Sequence, residues 1–427
     1  MKDVVEKVSK ALAQVKVIDP HCHLRLEKPS ADNLADILLY HHVWIELVSA
    51  GMDRFEVTKA GLPHEVKNPE IEPFERVRRC LKYLPKIKTT TLGLLIRWIL
   101  KDLYGVEELT QTNLDMVFEI VQSKAKDPSW QEKVLRDGCG IEASITVELG
   151  QVAYSDHMLI AREFYLGELF DDRTTPLKVL TEWEKSFGAE IGNAQDCISF
   201  WERRVKALPL EQCKLIGLWI PAYLTHEGAD GNQATRIIKK IKNRQGLSRD
   251  EKGNFCYFVS ASILDILRET AIRIIQLGVG AEVLPPHCSI TEWCENFCGS
   301  LGRFAKIYED FHFIIMFATD VFTQDIGILA KHIPNISVSG YWWHTLYPYY
   351  IRKALETRLD MVPINKIIGY FSDAYHAEWC YPKLKLVKQV LGELLVERIQ
   401  KNWYTTEMAL DIINKLLYEN PKEILKV

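Results

Sequence analysis

Residues 15–24 read Val15-Lys16-Val17-Ile18-Asp19-Pro20-His21-Cys22-His23-Leu24. The run 15–19 has the composition of a strand, and His21-Cys22-His23 closes it. Alternate strand residues point the same way, so Asp19, His21 and His23 share one face while Cys22 turns to the other. Two imidazoles on one face at the C-terminal end of a strand form half of a site for Zn2+ or a similar divalent ion. In α/β barrels, active sites sit at that end of the strands. With 12 histidines in the chain, H-x-H alone is a weak pattern. Its position between a β-rich run and a loop is what singles it out.

Further β-rich runs follow at 141–147, 214–221, 277–284, 311–317, 335–339 and 366–371. Most are continuously apolar rather than alternating, as in parallel strands covered on both faces. The last three are spaced by about one βα unit, roughly 30 residues. Repeating βα units lead to a barrel or to a doubly wound sheet. Residues 30–135 break the rhythm, being mostly helical, with Ser30 as N-cap of one helix running to Gly51 as C-cap. This block reads as a helical insertion between the first and second strands. No internal repeat, low-complexity tract or Pro/Ser-rich linker divides the chain, so residues 1–427 read as a single domain. The charged stretch 239–254 reads as a solvated loop with its flanking helix end.

The 427 residues are 47% hydrophobic and 26% charged, which excludes disorder and coiled coil as the main architecture. Lys and Arg number 53 against 57 Asp and Glu, a net charge of −4. Without a basic excess, neither nucleic acid nor a membrane surface is the expected partner, which leaves a small molecule. There is no signal-like apolar segment, and the apolar runs are too short to span a bilayer. The 10 cysteines form no C-x-x-C pair. A reduced, cytoplasmic setting is the expectation. No Walker A, G-x-G-x-x-G, G-x-S-x-G or H-E-x-x-H pattern occurs.

Toward the other end, Phe371-Ser372-Asp373-Ala374-Tyr375-His376 closes the last strand. The Asp373 carboxylate can complete a metal site with the histidines and accept a proton, although Ser-Asp before a helix also serves as an N-cap. His376 is a nearby candidate proton shuttle. Tyr40, His41 and His42 lie in the first inserted helix, where His41 shares a stripe with Leu34, Ile37, Leu38, Ile45 and Val48 and is as readily a core residue. The aromatics of Gly340-Tyr341-Trp342-Trp343-His344 wall a sugar-sized pocket or cap the fold. His287, Cys288, Cys294 and Cys298 match no standard zinc spacing and read as structural.

In combination these motifs resemble the uronate isomerase branch of the amidohydrolase superfamily. His21 and His23 match the superfamily's first-strand H-x-H. LYHHVWIELVSAGM is similar to that branch's histidine- and aromatic-bearing helix, and IIQLGVG to its fifth strand. NISVSGYWWH is similar to its Gly-x-Trp-Trp-Phe segment, GYFSDAYHAEW to its terminal-strand Asp, and ENPKEIL to its tail. The resemblance covers essentially the whole chain and implies a distorted (β/α)8 TIM-like barrel. It implies an intramolecular oxidoreductase that interconverts an aldohexuronate, D-glucuronate or D-galacturonate, with its 2-ketouronate by proton transfer between C2 and C1. His21, His23 and Asp373 would hold a divalent metal ion, Zn2+ first, with Asp373 also the base. Tyr40 and His41 would face the sugar hydroxyls or help ring opening. Arg162 would take the substrate carboxylate, and Trp342, Tyr375 and His376 would line the pocket. A homo-oligomer is also implied.

Four departures stand out. Gly278 occupies the place of a fifth-strand histidine, which implies weaker metal binding. Tyr375 stands where the isomerases carry an arginine, and His344 where they carry Phe. The helix lacks the arginine expected after its histidine. A tyrosine cannot grip a carboxylate bidentately, so the alternative is a metal-dependent hydrolase or decarboxylase on the same barrel. A non-enzymatic binding scaffold is a third reading, against which the retained ligands argue.

Overall fold

The computed structural model describes residues 2–53, 55, 57, 70–147, 157–166, 175–221, 224–279 and 296–427. Its strands are β1 (Val17–Cys22), β2 (Ile141–Thr146), β3 (Met158–Tyr165), β4 (Cys213–Ile220), β5 (Ile274–Val279), β6 (His312–Phe317), β7 (Ile336–Ser339) and β8 (Ile367–Ile368). They lie in one sheet in chain order, with parallel ladders between β1 and β2 and from β3 through β8. Helices follow β3 through β8, so β4 through β8 are each reached by a helical crossover, as parallel pairing requires. Strands such as β5 and β7 are buried at every position, which is why their sequences are apolar runs.

The residues cluster into two compact units, Met1–Met158 with Phe371–Leu410, and Leu159–Tyr370 with Asp411–Val427. In the second, the register aligns Glu163, Gly217, Gln276, Ile314 and Ser337 across β3 to β7. Two residues on, Tyr165, Trp219, Gly278, Met316 and Ser339 form the next layer of the same face. The first unit carries β1, β2 and, between them, the inserted helices, which include Pro73–Cys80, Thr91–Trp98 and Leu114–Ala125. Glu378 fastens that insertion to the helix Ala377–Gln400. Its buried carboxylate accepts the Ala31 N–H (2.9 Å), the Tyr104 hydroxyl (3.1 Å) and the Trp130 Nε1–H (2.8 Å).

Several expectations are corrected. Seven strands are legible as apolar runs; the one missed is β3, where Arg162 and Glu163 interrupt the pattern. The first strand runs on to Cys22, and Pro20 is tolerated because the register shifts between Asp19 and Cys22. The helix expected from Ser30 to Gly51 is two helices, α2 (Leu34–Leu38) and α3 (His41–Ser49), which follow α1 (Lys2–Gln14). Asn33 caps α2 by accepting the Ala35 N–H at 2.9 Å, whereas the Ser30 hydroxyl is buried against Gln131 at 3.4 Å. Gly51 closes the end of α3 with φ +103°, a value that favours glycine. Within 239–254, residues from Arg249 onward open the helix Arg249–Leu267 through a capping box between Ser248 and Glu251. His287, Cys288 and Cys294 lie outside the described residues, as does the end of the run 277–284.

Candidate functional site

The chain that leaves β8 runs beside the end of β1. The Asp373 N–H donates to the His21 carbonyl (3.0 Å), and the His23 N–H donates to the Ala374 carbonyl (2.8 Å). Beneath them, one oxygen of the buried Asp19 accepts the Ser372 N–H (2.9 Å) and the His21 N–H (3.4 Å). Burial pushes the Asp19 carboxyl up to about 6, against those hydrogen bonds, which favour the charged form. Asp373 sits at φ +49°. This left-handed turn brings its Oδ1 to 3.3 Å from His21 Nε2 and 3.4 Å from His23 Nε2.

Among the described residues, His21, His23 and Asp373 form a group that could hold a metal ion, their donor atoms within 4.8 Å of one another. Two imidazole nitrogens and a carboxylate oxygen are borderline donors of the kind that Zn2+ and its first-row neighbours take, so the set fits a divalent ion. Burial alone would raise the Asp373 carboxyl. The hydrogen bonds from His21 and His23 and the charges of His23 and Lys383 outweigh it and hold the group well below the carboxylate range. The carboxylate is therefore ionised throughout the physiological range.

An aromatic shell positions these groups. Tyr375 stacks flat on His23, with centroids 4.4 Å apart and planes at 2°. His41, buried at the first position of α3, meets Tyr375 edge-on at 5.1 Å and Tyr40 at 4.4 Å. Tyr40 stacks on Trp379 at 4.5 Å. The break between α2 and α3 puts Tyr40 in an extended turn (φ −50°, ψ 134°), and its hydroxyl donates to the Asp373 carbonyl at 2.8 Å. Tyr40 thus touches the backbone of the site. His376 is buried directly before the helix Ala377–Gln400.

Sequence reasoning missed Lys383. Its ammonium, buried on that helix, donates to Tyr40 Oη (2.9 Å), the Ser372 carbonyl (2.8 Å) and the Asp373 carbonyl (3.2 Å). Desolvation lowers its pKa, with the charge of Asp373 working against that shift. The signal was present: Lys383 falls four residues after Trp379 and four before Val387 on a buried stripe, where an unpaired cation is not tolerated.

The remaining candidates lie in the second unit. Trp342 is buried, its ring 4.6 Å from that of Trp219 on β4. Trp219 pairs in register with Gly278, and a Cβ built on Gly278 would meet Trp219 Cε3 at 1.6 Å. The space a residue at 278 would use is occupied by the indole. Burial lowers the His344 pKa to about 4, so its ring is neutral at physiological pH. Arg162 is not placed as expected. Alternation puts it on the face of β3 shared with Phe164, whose ring packs edge-on against Trp201 of the helix Ala194–Lys206, and its guanidinium donates to the Ala161 carbonyl at 3.1 Å.

No family model matches the chain. A uronate isomerase of Thermotoga maritima is 19% identical over 215 residues, which is 46% of this chain and 46% of that protein, so the match spans under half the length of the curated relative. In three dimensions the likeness extends over nearly the whole chain. A Thermotoga maritima uronate isomerase structure superposes with a TM-score of 0.78 at 14% identity, covering 99% of this chain and 97% of that one. The glucuronate isomerase of Caulobacter crescentus gives 0.79 at 15%, covering 99% and 94%. A protein described as a metal-dependent hydrolase from Lactobacillus casei is more distant, at 0.57 and 12%, covering 98% and 97%. In fold, this chain is a distorted (β/α)8 barrel of the uronate isomerase kind.

Proposed function

We propose that the protein is a uronate isomerase, interconverting D-glucuronate or D-galacturonate with the corresponding 2-ketouronate. The observation that carries the reading is the convergence of His21, His23 and Asp373 within 4.8 Å at the end of β1, in a chain with the uronate isomerase fold. His21, His23 and Asp373 would hold a divalent ion, Zn2+ being the first candidate, and that ion would supply fixed positive charge for the oxyanion that develops at the sugar carbonyl.

The Asp373 carboxylate takes the proton from C2 of the open-chain aldohexuronate. The C2–H electron pair becomes the C1–C2 double bond of an enediol, and O1 takes a proton from water. The carboxyl then returns its proton to C1 while the O2 hydroxyl gives its proton back to water, leaving a carbonyl at C2. Without the ion, the imidazoles of His21 and His23, 3.3 and 3.4 Å from Asp373 Oδ1, keep the base ionised and aimed; the bound ion would take over that charge stabilisation, at the cost of some basicity. Tyr40 holds the Asp373 backbone, and His41 braces Tyr375. Trp342, Tyr375 and His376 are assigned to the substrate; Arg162 is left out because of the face it occupies. Placement in the cytoplasm and a homo-oligomeric state belong to the same reading. No helix among the described residues is long and apolar enough to cross a membrane.

The test is a proton NMR time course of metal-analysed protein with glucuronate and galacturonate in D2O. Conversion to a ketouronate supports the assignment, and deuterium at C1 or C2 shows exchange of the transferred proton. No conversion by folded, metal-loaded protein overturns it. The ring of Tyr375 in place of a carboxylate-gripping arginine would then direct screening to hydrolysis and decarboxylation.

A further inference from the structure

The geometry points to Lys383 as the positioning residue that holds Asp373 in the left-handed conformation from which its carboxylate reaches both histidines. Four described non-glycine residues have positive φ: Arg244, Asp373, Asn402 and Lys426. Arg244, Asn402 and Lys426 each follow the end of a helix, where a left-handed cap is routine. Asp373 lies on the passage from a strand into a helix and has no such reason. Something must over-determine its backbone for the conformation to persist.

The contacts show what does so. The Lys383 ammonium bridges the consecutive carbonyls of Ser372 and Asp373, and its third bond goes to Tyr40 Oη. The Tyr40 hydroxyl closes the triangle by donating to the Asp373 carbonyl. All three ammonium hydrogens are used, so Lys383 is fully satisfied although buried. Rotation of Asp373 out of its left-handed turn would swing both carbonyls and strip a buried cation of partners, a larger penalty than the turn itself. Tyr40 is secured in turn by stacking on Trp379, four residues before Lys383 on the same helix. The clamp therefore acts on the backbone carbonyls of Ser372 and Asp373, while the histidines meet the Asp373 carboxylate. Partners that act behind a ligand in this way set metal affinity as much as the ligands do.

This inference rests on reading His21, His23 and Asp373 as a metal site, and the test separates the two. Co2+ is titrated into metal-depleted wild type, Lys383→Met and Tyr40→Phe, with visible absorption and calorimetry as readouts. Lys383→Met is expected to bind about 10- to 100-fold more weakly. Tyr40→Phe keeps the ammonium and should lose less, about threefold or more, which keeps the idea testable should Lys383→Met not fold. In an Asp373→Asn background, Lys383→Met should change affinity less than twofold, because the residue acts through Asp373. Binding by Lys383→Met within twofold of wild type, or the same loss with and without Asp373, overturns the assignment. Crystal structures of metal-free wild type and Lys383→Met supply a readout independent of the ion. Asp373 should leave positive φ in the variant, and its retention there overturns the inference. Should wild type bind no Co2+, the metal reading fails while this comparison still decides the role of Lys383.

Discussion

Gly278→Ala changes one hydrogen to a methyl group, yet it should be among the most damaging substitutions in the second unit. The added Cβ would lie 1.6 Å from Trp219 Cε3, 1.8 Å from Cζ3 and 2.5 Å from Cδ2. Contact distance between carbons is about 3.5–4.0 Å, so the ring must move by roughly 2 Å or β5 must shift. β5 is buried and hydrogen-bonded on both sides, and Trp219 is only 8% exposed, wedged against Trp342. Overpacking costs about 1–3 kcal/mol where neighbours can yield. The ceiling is set by expelling the indole, which forfeits about 150–250 Å2 of burial, or about 4–6 kcal/mol. A loss of about 3–5 kcal/mol is expected, read from urea denaturation followed by circular dichroism. Trp219→Ala alone should cost a similar amount, about 3–5 kcal/mol. In its background the same glycine substitution should cost under about 0.5 kcal/mol, because the obstacle is gone. The cycle would then show a coupling of at least about 2.5 kcal/mol. Gly278→Ala within about 0.5 kcal/mol of wild type, or additive effects, would refute the claim that the indole has taken the space above Gly278.

Three further outcomes are expected. His23→Ala should bind Co2+ at least about 10-fold more weakly than wild type, and unchanged affinity would remove His23 from the ligand set. Asp373→Asn should cut turnover at least about 100-fold while the protein still folds cooperatively; near-normal turnover ends its role as base. Burial lowers the pKa of His312 to about 4, with the Lys366 ammonium adding to the shift, and lowers that of His344 to about 4. Each unfolded ring protonates near 6.5, so the stability of burying it neutral is complete above that pH and is lost as pH falls from 6.5 toward 4, by up to about 1.4 kcal/mol per pH unit per group. The melting temperature should therefore fall over this window, and less steeply in His312→Gln, which can keep the contact with Ser337 Oγ. An identical slope in that variant contradicts the assignment.

The convergence of His21, His23 and Asp373 was legible because its parts obey local rules. His21 and His23 follow strand alternation, and Asp373 follows a short β-rich run with a turn signal before a helix. Elements that answer to distant partners were not legible. Ser30 and Asn33 are both good helix caps, and only packing against Gln131 decides that Ser30 is not used as one. The break at Leu39 and Tyr40 runs against helix propensity and is compensated by the hydroxyl contacts to residues more than three hundred positions away. β3 escaped notice because a charged pair interrupts its apolar run, although the alternation that places Arg162 beside Phe164 was readable in principle. Gly278 was noticed as a missing histidine. That a glycine inside a strand marks close approach by a neighbour was the unused part of the signal.

Asp19 and Ser372 meet across 353 positions, and Ala31 and Glu378 across 347. The first unit is thus assembled from two segments far apart in the sequence, Met1–Met158 and Phe371–Leu410, with the second unit's strand array translated in between. A nascent chain stopped before residue 371 carries both histidines, but neither their carboxylate nor the lysine behind it. Contacts of such separation close late and slowly. During synthesis the inserted helices must wait with the apolar faces that will bury Trp379 and Glu378 still uncovered. The interval between emergence of β1 and arrival of the last long helix is therefore this protein's window of vulnerability to aggregation and to chaperone capture. If His21, His23 and Asp373 hold a metal as proposed, competence to bind it would report that the helix Ala377–Gln400 has docked.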